Sequence, residues 1–122
     1  MDRELDIATR DGKHPDERIL VLKGVLIAET TSQFYAAARQ YRAGPLLLDM
    51  TAVRYIDSSG LGALISTYVS LEKAFRPLML AGLNDRIWDL FRICKITDVF
   101  TRYPTLADAE TALRDATLAP EQ

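Results

Sequence analysis

The stretch Leu46-Leu47-Leu48-Asp49-Met50, together with Asp57-Ser58-Ser59-Gly60-Leu61-Gly62 shortly after it, organises the chain. The first part is an apolar run of strand length, and apolar residues at helical spacing follow the second part. Aspartate and serine are favoured at a helix start, because their side-chain oxygens accept hydrogen bonds from free backbone N–H groups. The sequence therefore predicts a buried strand, a loop over Thr51–Ile56, and a helix from about Ser58 to Ala74.

The same patterns predict the other elements. Glu4–Arg10 alternates weakly, which is typical of an edge strand, and Ile19–Leu22 predicts a strand that ends near Gly24. Strands followed in alternation by helices indicate an α/β domain with a mixed sheet. We expect a single domain over residues 1–122, with 116–122 as a frayed tail. The second strand extends over Val25–Ile27 past a bulge, and a helix then begins at Thr30, Thr31 or Ser32 and ends near Arg42. A strand follows at Leu78–Ala81, and Asn84 or Asp85 caps the next helix. Ile96–Phe100 is either a last strand or a turn, and Thr105 caps a final helix with Leu106, Ala109 and Leu113 facing inward.

The composition argues against several classes of function. The 122 residues carry a net charge of −2, which argues against a nucleic-acid partner, since nucleic acids bind concentrated basic surfaces. No apolar run approaches the roughly 20 residues of a membrane span, and the start is too polar for a signal peptide, so we expect a cytoplasmic protein without membrane insertion. One cysteine and one histidine, His14, cannot supply a zinc site of nitrogen and sulfur ligands, and we expect no metal and no cofactor.

The loop that ends at Gly62 has a plain structural interpretation and a functional one. Spacing alone favours a simple helix cap. Gly60 and Gly62, however, lie in the first turns of a helix, where each glycine is unfavourable by about 1 kcal/mol relative to alanine. A face without large side chains lies opposite the apolar stripe and lets another backbone approach, either from within the fold or from a partner. This face consists of Ser59, Gly62, Ala63, Ser66, Thr67 and Ser70.

Enzyme chemistry fits the sequence poorly. Ser58 and Ser59 lack the glycine two residues upstream that a nucleophile elbow requires, and the chain has no phosphate-binding glycine loop. Cys94 lies on the apolar side of a predicted helix and is interpreted as a small buried hydrophobe. On that same helix Trp88 and Phe91 are interpreted as core residues, and Arg86 and Arg92 as its solvated face.

The stretch Leu47-Leu48-Asp49-Met50-Thr51-Ala52-Val53-Arg54-Tyr55-Ile56-Asp57-Ser58-Ser59-Gly60-Leu61-Gly62 resembles the signature of STAS domains, specifically of bacterial anti-sigma factor antagonists. The resemblance extends over most of the chain, and Ile96–Phe100 is similar to the closing strand of the family. It implies a STAS-like mixed β-sheet of four or five strands, with about four helices packed mostly on one face. It also implies a protein-binding module rather than an enzyme.

The resemblance further implies partner switching. In the family, an anti-sigma factor that is also a serine kinase phosphorylates the first serine after the aspartate, which corresponds to Ser58, and a PP2C-type phosphatase reverses this. The unmodified form binds the kinase and frees the sigma factor, which regulates transcription. Asp57, Ser59 and Gly60 would form the switch loop, with Asp57 either capping the helix or orienting the Ser58 hydroxyl. The expected partner-binding residues are Arg54, Tyr55, Gly62, Ala63 and Ser66.

One segment departs from the family pattern. The antagonists carry Gly-Glu-Leu-Asp after the second strand, whereas this chain has Gly24-Val25-Leu26-Ile27, with Glu29 nearby but out of register. The departure predicts an exposed apolar patch beside Ser58, of the kind that marks an interface. Alternative functions are a subunit of a stressosome-like complex, a STAS subunit of a lipid-transport ABC system, and a small enzyme that uses the serines. The oligomeric state and the order of the strands stay open.

Overall fold

The computed structural model describes residues 3–13, 16–40 and 43–118. Predictions for His14, for Tyr41 and Arg42 at the end of the first helix, and for residues 119–122 lie outside these ranges. Five strands and four α-helices form in the described part of the chain, with a 3-10 turn at Ala28–Thr30. The strands are β1 (Leu5–Asp11), β2 (Arg18–Leu26), β3 (Leu46–Ile56), β4 (Leu78–Ala81) and β5 (Arg102–Tyr103), and the helices are α1 (Thr31–Ala38), α2 (Ser58–Lys73), α3 (Asp85–Ile93) and α4 (Leu106–Leu118).

The strands form one mixed sheet in the order β1-β2-β3-β4-β5. β1 pairs antiparallel with β2, and every later neighbouring pair is parallel. Parallel neighbours need a crossover connection, and here α1, α2 and α3 lie between consecutive parallel strands. The mixed five-stranded sheet confirms the predicted fold class.

The central strand β3 is longer than the sequence predicts, since Thr51–Ile56 continues it instead of forming a loop. Two register shifts interrupt its pairing with β2, one of them directly after Gly24. Gly24 has a φ of +122°, and a Cβ there would lie 2.2 Å from the carbonyl oxygen of Glu4. Such irregularities remove the two-residue alternation by which a strand is identified in a sequence. The loop prediction was therefore wrong, and Arg54 and Tyr55 lie on a strand.

Helices cover both faces of the sheet, three on one side and one on the other. The face under α1, α2 and α3 carries the main core, in which Phe91 is fully buried and Trp88 is half-buried, as predicted. α4 packs on the opposite face through Ala109 and Leu113, with Leu106 beside them. Successive side chains of a strand point to opposite faces, and helices cover both faces here, so neighbouring residues near the start of β2 and β3 are all buried. The smaller core, between the sheet and α4, contains Ile19, Leu47, Ala81, Ala109 and Leu113.

The segment that follows α3 decides between two predicted alternatives and corrects one prediction. Ile96–Phe100 forms a turn, which was one of the two alternatives, and the last strand, β5, comes after it, so the similarity to a closing strand does not hold at Ile96–Phe100. Cys94 is exposed rather than buried. Cys94 is the C-cap of α3, and the backbone turns away at Lys95, with φ +59°, so the thiol lies at the end of the helix rather than over the core.

The caps of the last two helices agree with the sequence. The Asn84 Oδ1 accepts a hydrogen bond from the backbone N–H of Ile87 at 2.8 Å. The Thr105 Oγ1 accepts one from the backbone N–H of Asp108 at 3.1 Å. α4 continues to Leu118, which takes it into the segment that the sequence predicts to be frayed.

Candidate functional site

The switch loop lies where β3 ends and α2 begins, and Asp57 fixes it in place. The Asp57 Oδ1 accepts a hydrogen bond from the backbone N–H of Gly60 at 2.8 Å, which caps α2. Its Oδ2 accepts one from the backbone N–H of Ala28 at 3.1 Å, and its own N–H donates to the Leu26 carbonyl at 3.3 Å. Both carboxylate oxygens therefore bond to backbone groups on either side of the loop. Of the two roles predicted for Asp57, these bonds support capping.

The two glycines of the loop meet different surroundings. A Cβ on Gly60 would lie 2.0 Å from the Leu26 carbonyl oxygen and 2.9 Å from the Ile56 side chain, so α2 can start this close to β2 only with glycine there. A Cβ on Gly62 would meet nothing within 4 Å. The fold therefore explains Gly60, whereas no contact within the described part of the chain requires Gly62.

Ser58 is the first residue of α2, and its side chain is exposed. It borders a depression of about 540 Å³ whose apolar wall includes Ile93, which is 76% exposed. A second depression of about 470 Å³ lies beside it and contains Arg3 and Arg54. Tyr55, Asp57 and Arg86 line both depressions.

The small-residue face of α2 is divided between the core and the surface. Ala63 is only 1% exposed and Thr67 only 7%, because both share a buried stripe with Gly60 and Leu71 at helical spacing. The side chain of Ala63 therefore packs in the core, whereas the sequence places it on a face open to a partner. Around it, Gly62 is half-buried, and Ser59, Ser66 and Ser70 are exposed.

The apolar patch predicted at Val25, Leu26 and Ile27 does not exist. These residues are 5%, 0% and 3% exposed. β2 continues through Leu26 and pairs with the unexpected extension of β3, which covers the segment. Thr30 completes the covering, since its Oγ1 accepts a hydrogen bond from the Ile27 N–H at 2.9 Å and donates to the Val25 carbonyl at 3.0 Å. The exposed acid of this region, Glu29, pairs with Arg3.

Sequence reasoning missed the contribution of α3 to this site. Arg86 is exposed, as the sequence predicts, yet it lines both depressions, and Ile93 lines one of them. A topological signal was available, because helices that follow neighbouring parallel strands begin at the same edge of the sheet. β4 lies parallel to β3, so the first turn of α3 lies beside the first turn of α2.

Other kinds of site are not visible in the described ranges. Residues 3–13, 16–40 and 43–118 contain no group of three or more histidine, cysteine, aspartate or glutamate side chains suited to a metal ion. Over the same ranges, none of the helices has both the length and the apolar character needed to cross a lipid bilayer.

Residues 8–109 match the STAS domain family. The chain belongs to the STAS domain family. This STAS domain is 32% identical over 102 residues to an anti-sigma-B factor antagonist from Listeria monocytogenes, and the match covers 81% of the chain and 87% of that relative.

Solved structures share the fold of this STAS domain. An anti-sigma factor antagonist from Mycobacterium paratuberculosis superposes with a TM-score of 0.76 at 24% identity, over 92% of this chain and 96% of that one. The anti-sigma factor antagonist SpoIIAA in its unphosphorylated form gives a TM-score of 0.71 at 15% identity, over 94% and 100%. These similarities confirm the predicted STAS-like fold.

Proposed function

We propose that this STAS domain is an anti-sigma factor antagonist that switches partners when Ser58 is phosphorylated. The observation that carries the proposal is the exposed Ser58 at the first position of α2, on a loop held by both oxygens of Asp57. The relative from Listeria monocytogenes supports the class, and SpoIIAA, of the same fold, is known in unphosphorylated and phosphorylated forms. The proposed partners are an anti-sigma factor/serine kinase and a PP2C-type phosphatase, and the proposed place of action is the cytoplasm.

A surface around the serine suits the docking of a partner. Tyr55 is 49% exposed, Arg54 lies beside it on β3, and Ser66 is exposed two turns into α2. Gly62 lies between Ser58 and Ser66 with open space where a side chain would be, so a partner's backbone can approach the helix closely there. We take Arg54, Tyr55, Gly62 and Ser66 as the docking surface of the unmodified protein.

Phosphorylation would act on this surface without unfolding the helix. A phosphate adds about −1.5 to −2 charges. At the first position of α2 it meets the positive end of the helix dipole, which favours an anion. The proposed effect is therefore local, because charge and bulk obstruct docking while the fold stays intact.

Phosphorylation with purified components tests the proposal. The chain is incubated with Mg-ATP and, one at a time, with the anti-sigma factor kinases of its own organism, and mass spectrometry locates the phosphate. We expect one phosphate, on Ser58. Ser59→Ala should be modified like the parent, whereas Ser58→Ala should not be modified. Phosphate on Ser59, or no phosphate with any of the kinases, would count against the proposal.

Binding gives a second readout. The unmodified chain should bind the kinase, and Ser58→Asp should lose most of this binding while keeping the circular dichroism spectrum of the parent. A Ser58→Asp chain that lost its helical signal would contradict the local mechanism. An unmodified chain that instead co-purifies with a transporter ATPase subunit would support the lipid-transport alternative.

A further inference from the structure

Arg86 lies on the first turn of α3, at the boundary of the two depressions beside Ser58. It lines the depression that Ser58 borders, and it also lines the neighbouring one, which contains Arg3 and Arg54. Its side chain is exposed to solvent. The guanidinium of Arg86 is therefore placed at the same surface as the hydroxyl of Ser58.

The acidic residues near Arg86 on α3 form ion pairs with other arginines. Asp85 pairs with Arg102 at 2.7 Å, and Asp89 pairs with Arg92 at 3.1 Å. Asp89 is three residues after Arg86, a spacing at which the two could pair on a helix. Within the ranges that the structure describes, Arg86 nevertheless forms no ion pair and no side-chain hydrogen bond. Its guanidinium is therefore not neutralised by an acid of the described ranges.

The acids that face Ser58 are also compensated. Asp57, from the switch loop, accepts two backbone N–H groups, and Asp89, from α3, pairs with Arg92. Glu29, near the end of β2, pairs with Arg3. Tyr55, from β3, is the other titratable group at the two depressions. The residues that line them include three arginines, Arg3, Arg54 and Arg86, and two aspartates, Asp57 and Asp89, so positive charge is in excess there, and the N-terminus of α2 adds to it.

We propose that Arg86 binds the phosphate of phosphorylated Ser58 within the same chain. A guanidinium presents paired N–H donors that match two oxygens of a phosphate, which makes arginine well suited to this role. The ion pair would span the depression between the starts of α2 and α3, which includes Tyr55 and the exposed Ile93. Phosphorylation then closes part of the docking surface as well as changing its charge. This inference rests on the proposed phosphorylation of Ser58.

Phosphorus NMR on the full chain tests the role of Arg86. Phosphoserine is incorporated at position 58 during synthesis, and the phosphorus chemical shift is followed against pH. A phosphoserine has a second pKa of about 6 in the absence of nearby charges. A neighbouring cation favours the dianion and so lowers the pKa. We expect the phosphate pKa in the parent chain to be about one pH unit below that in Arg86→Gln, at the lower end of the range for adjacent opposite charges because the site is exposed.

Two control variants separate this ion pair from general electrostatics. Lys95→Gln removes an equal charge just past the end of α3, at an exposed residue that lines neither depression, and should leave the phosphate pKa at the parent value. Arg86→Lys keeps the charge but not the paired donors, and should give a pKa between those of the parent and Arg86→Gln. Circular dichroism checks that each variant is folded.

Equal phosphate pKa values in the parent and Arg86→Gln would overturn the inference, whether both are normal or both are lowered by the helix N-terminus alone. Incorporation during synthesis requires no kinase. A failure of this inference is therefore distinguishable from a failure of the proposed function, which would appear as an unmodified Ser58 in the kinase assay.

Discussion

The two ends of α2 are held by different means. At the first turn, the side chain of Asp57 bonds to backbone groups on two elements, and Gly60 allows a close approach to the carbonyl of Leu26. At the last turn, backbone N–H groups of Ala74, Phe75 and Arg76 bond to carbonyls of the helix, and Phe75 has a φ of +57° and is 95% exposed. Glycine is the usual residue at such a left-handed position after a helix. The comparison indicates that residue identity matters strongly where the proposed switch lies and weakly at the far end.

The largest change in the free energy of unfolding is expected for a substitution at Gly60. Gly60→Ala forces a Cβ against the Leu26 carbonyl, and overpacking of this kind destabilises by about 3 kcal/mol. The matched control is Gly62→Ala, which enters open space and should stabilise by up to about 1 kcal/mol through helix propensity. Urea unfolding of both variants measures the difference. Equal effects of the same sign would show that close approach to β2 is not what distinguishes the two glycines.

A smaller loss of stability is expected for substitutions at Asp57. Asp57→Ala removes the α2 cap and the bond to Ala28, so we expect a loss near the upper end of cap values, about 2 kcal/mol. Asp57→Asn keeps one side-chain oxygen and should lose less. Urea unfolding gives both values, and hydrogen exchange at the amides of Ala28 and Gly60 should accelerate in Asp57→Ala. Unchanged exchange at Ala28 would contradict the described link between the loop and the 3-10 turn.

The smallest effect, of opposite sign, is expected at Phe75. Phe75→Gly relieves the left-handed backbone and should stabilise by about 1 kcal/mol. Phe75→Ala keeps the unfavourable backbone and removes only an exposed ring, so its stability should stay near that of the parent. Thermal unfolding compares the two. A destabilised Phe75→Ala would show that the ring makes contacts that hold this end of the helix.

The features that could be predicted from the sequence depend on residues close together in the chain. The start of α2 at Ser58 and the cap by Asp57 follow from a few adjacent residues, and the Asn84 cap is equally local. The extension of β3 to Ile56 depends on bulged pairing with β2, a partner about thirty residues away, and local pattern carries no trace of it. The same pairing buries Val25–Ile27, which explains why the predicted patch is absent.

At the site, the sequence identified the loop but not its surroundings. Ser58, Arg54 and Tyr55 are exposed where the resemblance implies a docking surface. Ala63 was misplaced because small residues fit a buried stripe as well as a surface, and only the helix orientation separates the two. Arg86 was overlooked because it lies near Ser58 only as a result of the parallel pairing of β3 and β4, and the sequence pattern does not determine which strands pair.

The exposure of Cys94 gives the natural sequence a built-in labelling position. It is the single cysteine of the chain, and it directly follows Ile93, which lines the depression that Ser58 borders. A thiol-reactive fluorophore would therefore attach at one place, with no other thiol to remove. Its emission would report a partner arriving at this side of the domain, in real time and without altering any residue of the switch loop.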